Sequence, residues 1–271
     1  MMKAMMKAMM KAKKKMKNNR DYNIYMTIVS CKLTGGLGSQ LFQIFATIST
    51  ALTTRQIYIF PYSTDKYTYW YTFLDRLRNN TTWFNPESLN QCINSLQSTD
   101  SKCLDGLFRS YKHFETHYET IIKIIDLRRK QSEIMQKCRL LKTPTISLHF
   151  RLFNHRRILT MAYYINSLSH IIERVGSCRV ICFYEKENHS TIKYCIQILG
   201  KRFPKMEFVE ADVAEDWEQM LLMSVCNHNI IANSSFSWWG ADFNANPDKI
   251  VCCPDIMTEW CHPPDWNIIA S

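Results

Sequence analysis

The sequence predicts an α/β fold of two Rossmann-like halves facing each other across a central cleft. Apolar strand-like runs alternate with stretches of helical periodicity, and this alternation occurs in two cycles divided near Pro144. At 271 residues, with 46% hydrophobic and 13% aromatic residues, the chain can bury two modest cores and is too apolar to be disordered. The expected organisation is a disordered basic tail over 1–25, an N-terminal Rossmann-like half over 26–143 and a C-terminal one over 144–271.

In chain order, residues 26–33 read as a first strand and residues 34–38 as a glycine turn. Residues 39–54 read as a helix, with Leu41, Phe42, Phe45, Ile48 and Leu52 on one face. Residues 56–60 return as a strand ended by Pro61, completing a βαβ unit. Residues 62–105 lack clear periodicity and are expected to be irregular with short helices. Residues 113–141 read as helical, ended by Pro144. The second cycle runs strand 145–150, helix 161–175, strand 179–184, helix 190–199, strand 206–209, helix 217–226 and strand 229–232. A helix starting near Phe236 and a last strand over 250–253 follow, and residues 260–269, with Pro263 and Pro264, are expected to cover one half.

Composition excludes several function classes. The formal net charge is +10, yet residues 1–20 hold seven Lys and one Arg, so removing them leaves +2. The fold itself is nearly neutral, and no nucleic-acid partner is expected. The tail, a repeat of MMKA followed by a lysine run, has neither the apolar region of a secretory signal nor the Arg/Ser character of a transit peptide. No apolar run approaches the length that spans a bilayer, so no transmembrane segment and a cytoplasmic location are expected. The eleven cysteines match no zinc spacing and are expected to be reduced and buried; no metal is expected. His113-Phe-Glu-Thr-His117 places two histidines one helical turn apart, but Glu115 points elsewhere, and a solvated helix face is expected.

Three segments carry chemistry. Asn233-Ser-Ser-Phe-Ser-Trp-Trp-Gly240 follows the apolar run 230–232 and opens a helix, bringing Ser234, Ser235, Phe236 and Ser237 to a strand–helix junction. The first amides of a helix lack intrahelical partners and carry the positive end of its dipole, which suits a phosphate. A plain Ser cap followed by two core tryptophans fits the same pattern. Gly35-Gly-Leu-Gly38 sits between a strand and a helix; a tight turn and a phosphate-cradling loop both fit it, and Gln40 can project from the helix's first turn. His149 and Arg151 share one face at a strand's carboxyl end, and Arg can donate two parallel hydrogen bonds to a phosphate. A basic surface cluster with Arg156 and Arg157 is the alternative there.

Together these segments resemble the α-1,2-fucosyltransferase family (glycosyltransferase family 11), whose hallmarks are G-G-L-G-N-Q-x-F-Q, H-x-R-R-x-D and N-S-S-F-S-W-W-G-A. Here they stand as residues 35–43, 149–154 and 233–241, and residues 106–114 are similar to the family's G-x-F-Q-S-Y-K-Y-F. The resemblance implies a GT-B-like architecture, with an acceptor-side N-terminal half and a GDP-sugar-binding C-terminal half. It implies metal-independent, inverting transfer of fucose from GDP-fucose to the 2-OH of a galactose-type acceptor, with no cofactor. It places His149 against the guanine–ribose side, Arg151 on the pyrophosphate as the catalytic donor, Asn154 beside them and Ser234 to Ser237 on the β-phosphate. Gly35, Gly36, Gly38 and Gln40 would line the cleft from the other half. The chain departs from the family at Ser39 (Asn), Leu152 (Arg), Asn154 (Asp) and Gln219, which stands where an acid is usual. A non-catalytic nucleotide-sugar binder and a related transferase of another linkage are the alternatives.

Overall fold

The computed structural model describes residues 27–61, 69–82, 101–151, 159–257 and 262–271. The tail over 1–25, Leu152 and Asn154 lie outside the described residues.

In the N-terminal half, β1 (Ile28–Cys31) is buried along its length, as its apolar and small residues allow. It lies between β2 (Ile57–Tyr58) and β5 (Lys102–Leu104), and all three strands are parallel. Helix α1 (Leu37–Thr54) joins β1 to β2 and ends on Arg55, whose backbone is left-handed at φ 56° and whose amide donates to the Ala51 and Leu52 carbonyls. The strand expected over 56–60 is split. Its end, β3 (Phe60–Pro61), turns away from β1 to pair with β4 (Thr81–Thr82), where a proline without an amide can be accommodated at an edge. β5 arises in a stretch expected to be irregular, because three residues are too few to show a period. The helical run expected over 113–141 begins as 3-10 turns at Tyr111–His113 and Glu115–His117. It then becomes α2 (Tyr118–Ile124) and α3 (Leu127–Lys137), broken where Asp126 adopts φ 56°.

The C-terminal half is a six-stranded parallel sheet of β6 (Thr145–His149), β7 (Arg179–Phe183), β8 (Glu207–Glu210), β9 (His228–Ile230), β10 (Val251–Pro254) and β11 (Asn267–Ile269). Their spatial order is β11-β10-β9-β6-β7-β8. The chain lays down β6, moves outward through β7 and β8, then returns to the other side of β6 for β9, β10 and β11. This is the doubly wound Rossmann order, and it reverses between β6 and β9. The connecting helices are α4 (Met161–Val175), α5 (His189–Arg202), α6 (Asp216–Ser224) and α7 (Ser235–Asp242). Thr160 caps α4 by accepting from the Tyr163 amide at 3.3 Å, and Gly176 ends it. The chain end expected as a cover instead supplies β11, which extends the sheet beside β10.

The polar residues on β6 and β9 meet each other inside the fold. Asn229 Nδ2 donates to Ser147 Oγ (2.7 Å) and to the Met223 carbonyl (2.8 Å), and Asn244 Nδ2 donates to Asn229 Oδ1 (2.7 Å). Buried amides satisfied in this way fix the β6–β9 pairing and tie α6 to it. The apolar core is shared between the halves. Phe42 of α1 lies 4.6 Å from the Trp238 ring and 4.8 Å from that of Trp239, and Phe45 lies 4.5 Å from Trp239. A second cluster, with Ile146, Leu148, Tyr163 and Leu168, fills the other face of the C-terminal sheet against α4.

Among the described residues the cysteines are free thiols, and burial pushes those of Cys31, Cys226, Cys252 and Cys253 up to about 12. No helix of the described residues is long and apolar enough to cross a membrane.

Candidate functional site at the strand-order reversal

In open α/β sheets ligands bind outside the carboxyl ends of the strands where the order reverses. Here that point lies between β6, which ends at His149, and β9, which leads through Ile231 and Ala232 into α7. Ser234 is the N-cap of α7: its extended backbone (φ −153°, ψ 131°) lets Oγ accept from the Phe236 amide at 3.3 Å. Ser237 Oγ accepts from the Ala232 amide at 3.1 Å and lies 3.4 Å from the Ser234 carbonyl, so this hydroxyl faces inward and closes the turn. Trp238 and Trp239 are fully buried. The cap-and-core reading therefore holds for Ser234, Ser237 and the tryptophans. Ser235, half-buried, is the serine whose hydroxyl faces the other half of the molecule. The helix dipole places partial positive charge at this end of α7.

The glycine turn reaches the same place from the N-terminal half. Gly35 has φ +77°, a conformation that L side chains rarely adopt. Gly36 is the N-cap of α1, with open space where a Cβ would stand. At Gly38 a Cβ would lie 2.5 Å from the Ser235 carbonyl carbon and 2.6 Å from the Phe236 nitrogen, so this glycine lets α1 touch the start of α7. Trp239 Nε1 donates to the Gly38 carbonyl at 2.9 Å, and Ser39 Oγ lies 3.5 Å from Ser235 Oγ. Gln40, expected to project into the cleft, is buried and donates from Nε2 to the Gly35 carbonyl at 2.8 Å. The local reason is geometric: the helix's first turn passes directly beneath the turn that precedes it.

On the C-terminal side His149 is buried, with its ring 5.8 Å from that of Phe236. Arg151 lies two residues beyond β6, and its Nη1 is 3.0 Å from Glu185 Oε1 beyond β7. The structure thus brings His149, Arg151, Ser234, Ser235, Phe236, Gly36, Gly38 and Ser39 to one end of the two sheets. Asn154 lies outside the described residues. His117 stays apart from this end, its Nε2 bonding Thr53 Oγ1 in the last turn of α1 at 3.1 Å, and the His113 ring packs edge-on against Phe108.

Two residues were missed by sequence reasoning. Gln43 accepts from the Thr34 amide (2.9 Å) and donates to Thr34 Oγ1 (2.9 Å) and the Gly106 carbonyl (3.3 Å). It joins the glycine turn to the loop after β5, and an amide on the apolar face of α1 was the available signal. Glu185 is the second; its pairing with Arg151 depends on strand register and has no local signature.

Residues 154–257 match the model of glycosyl transferase family 11. The matched segment is 104 of the chain's 271 residues. It contains the Ser234–Ser237 turn and begins after His149 and Arg151. Two curated Escherichia coli proteins are similar to the chain. One is the O-antigen biosynthesis glycosyltransferase WbnK, 28% identical over 184 residues, covering 62% of this chain and 58% of the relative. The other is an alpha-1,2-colitosyltransferase, 28% identical over 153 residues, covering 50% and 49%. The chain thus spans about half the length of the curated relatives it matches. Among solved structures, E. coli ADP-heptose LPS heptosyltransferase II superposes with a TM-score of 0.50 at 11% identity, covering 90% of each chain. The architecture of the described residues is α/β and GT-B-like.

Proposed function

We propose that this chain is a glycosyltransferase that moves L-fucose from GDP-fucose to the 2-OH of a galactose-type acceptor, with inversion and without a metal. One observation carries the reading: the segment that matches the family 11 model supplies the serine turn at the strand-order reversal, and His149, two residues before Arg151, lies against its Phe236. In such a transfer the bond between fucose C1 and the β-phosphate oxygen breaks, and a bond from the acceptor oxygen to C1 forms. The acceptor's hydroxyl proton is lost and GDP departs. Negative charge develops on the leaving diphosphate and must be met by fixed donors. The start of α7, the Ser235 hydroxyl and the Arg151 guanidinium are the set that this end of the sheet offers. His149, its ring tilted against that of Phe236, would flank the nucleoside.

Replacing Arg151 by Ala is expected to lower turnover 10²- to 10³-fold, about 2.7–4 kcal/mol of transition-state stabilisation, while the melting temperature stays near that of the wild type. Titration calorimetry with GDP and GDP-fucose, paired with a donor-hydrolysis assay, checks this. Near-normal turnover by the variant sinks the assignment. A second reading, a GDP-sugar binder without turnover, is favoured by Asn154, because an amide cannot serve as a base where the family has an acid. Tight GDP-fucose binding with neither transfer nor hydrolysis selects it.

A further inference from the structure

We infer that Glu185 is a positioning residue for Arg151, holding the guanidinium in place before the nucleotide arrives. The inference rests on the donor site proposed above and adds to it a residue that no motif contains.

The pairing is written into the sheet. β6 and β7 run parallel with Thr145 opposite Arg179 and His149 opposite Phe183. The ladder continues one step, as the Phe150 amide donates to the Phe183 carbonyl at 2.8 Å. Two residues further along each strand stand Arg151 and Glu185, so the register that aligns the sheet also aligns the two side chains. Their closest atoms, Nη1 and Oε1, are 3.0 Å apart. Arg151 is 26% and Glu185 41% exposed, a solvent-accessible setting in which an ion pair adds little to stability. Its value is therefore positional. Arg151 carries a long side chain whose many rotamers must be lost when it grips a phosphate. A carboxylate that already holds one nitrogen moves that ordering from the binding step to the folded protein, which strengthens binding without a new contact to the ligand.

The test uses GDP as the probe and the full chain in five forms: wild type, Glu185→Gln, Glu185→Asp, Arg151→Ala and the double variant Arg151→Ala/Glu185→Gln. Titrations are carried to millimolar GDP, with melting temperatures recorded for each form. Glu185→Gln is expected to weaken GDP binding about tenfold, equivalent to about 1.4 kcal/mol. Glu185→Asp, which keeps the charge on a shorter stem, should recover part of that loss. In the Arg151→Ala background Glu185→Gln should change the affinity less than twofold, because the residue it positions is gone. An equal loss in both backgrounds overturns the inference and puts Glu185 on the nucleotide itself. A loss below twofold in the wild-type background overturns it as well, as does a fall in melting temperature that accounts for the weaker binding. If the wild type fails to bind GDP, the donor site falls and takes this role with it, an outcome distinct from binding that ignores Glu185.

Discussion

Gly38 has no room for a side chain. The atoms that an added Cβ would meet, the Ser235 carbonyl carbon and the Phe236 nitrogen, are backbone and cannot swing aside. Gly38→Ala is expected to push α1 off α7 and cost about 1–3 kcal/mol, the usual penalty for overpacking, read as a lower urea midpoint at unchanged slope. The sequence showed a glycine cluster between strand and helix, and both a turn and a ligand loop fitted it. Individual letters could not say that Gly35 serves backbone conformation, Gly36 fronts open space and Gly38 serves a contact 197 positions along the chain. Ser237 illustrates the same limit. The order of hydroxyls in the motif was plain, but which one faces inward depends on how α7 leaves β9.

At the scale of elements, the site is a meeting of two helix starts. α1 begins at a glycine N-cap without a side-chain cap, and α7 begins at a serine that caps itself. Their first turns touch through Ser39 and Ser235. Gln43 secures the N-terminal side by bonding both Thr34 and Gly106 from within α1. Gln43→Leu keeps the volume and removes every one of these bonds, leaving the amide of the exposed Thr34 to water. A loss of about 0.5–1.5 kcal/mol is expected, the net worth of a typical hydrogen bond. Hydrogen exchange should show faster opening at the Thr34 amide than at amides within β1. The α4, α7 and β6 assignments were legible because caps, prolines and apolar periods act over a few residues. β5 and the split of β2 from β3 were not, because a three-residue strand has no period and takes its identity from its neighbour.

At the scale of the whole molecule, α7 runs from the candidate site to a half-buried acid. Asp242 lies at its end, and burial raises its carboxyl to about 7 from an ordinary 3.8; the Lys249 charge and Tyr118 oppose the rise, and Asp265 adds to it. Between about pH 4 and about pH 7 the folded protein keeps a proton that the unfolded chain has lost. Stability contributed by that proton is full below about pH 4 and declines as pH rises towards 7. Asp242→Asn should abolish this decline, so melting curves of the variant and the wild type should converge at acid pH and separate at neutral pH. The same helix carries Trp238 and Trp239, which pack against Phe42 and Phe45 from the other half.

The sequence by itself determined the alternation of strands and helices, the strand–helix junction over 233–240 and the segments that resemble glycosyltransferase family 11. Each of these is set by residues within a turn or two of one another, where side-chain period and hydrogen-bonding groups act directly. Tertiary structure decided the strand order that reverses between β6 and β9, the register that sets Glu185 against Arg151, and the close approach of Gly38 to Ser235. Those depend on which surfaces meet after the chain folds back on itself, and packing between distant segments carries no mark in local composition.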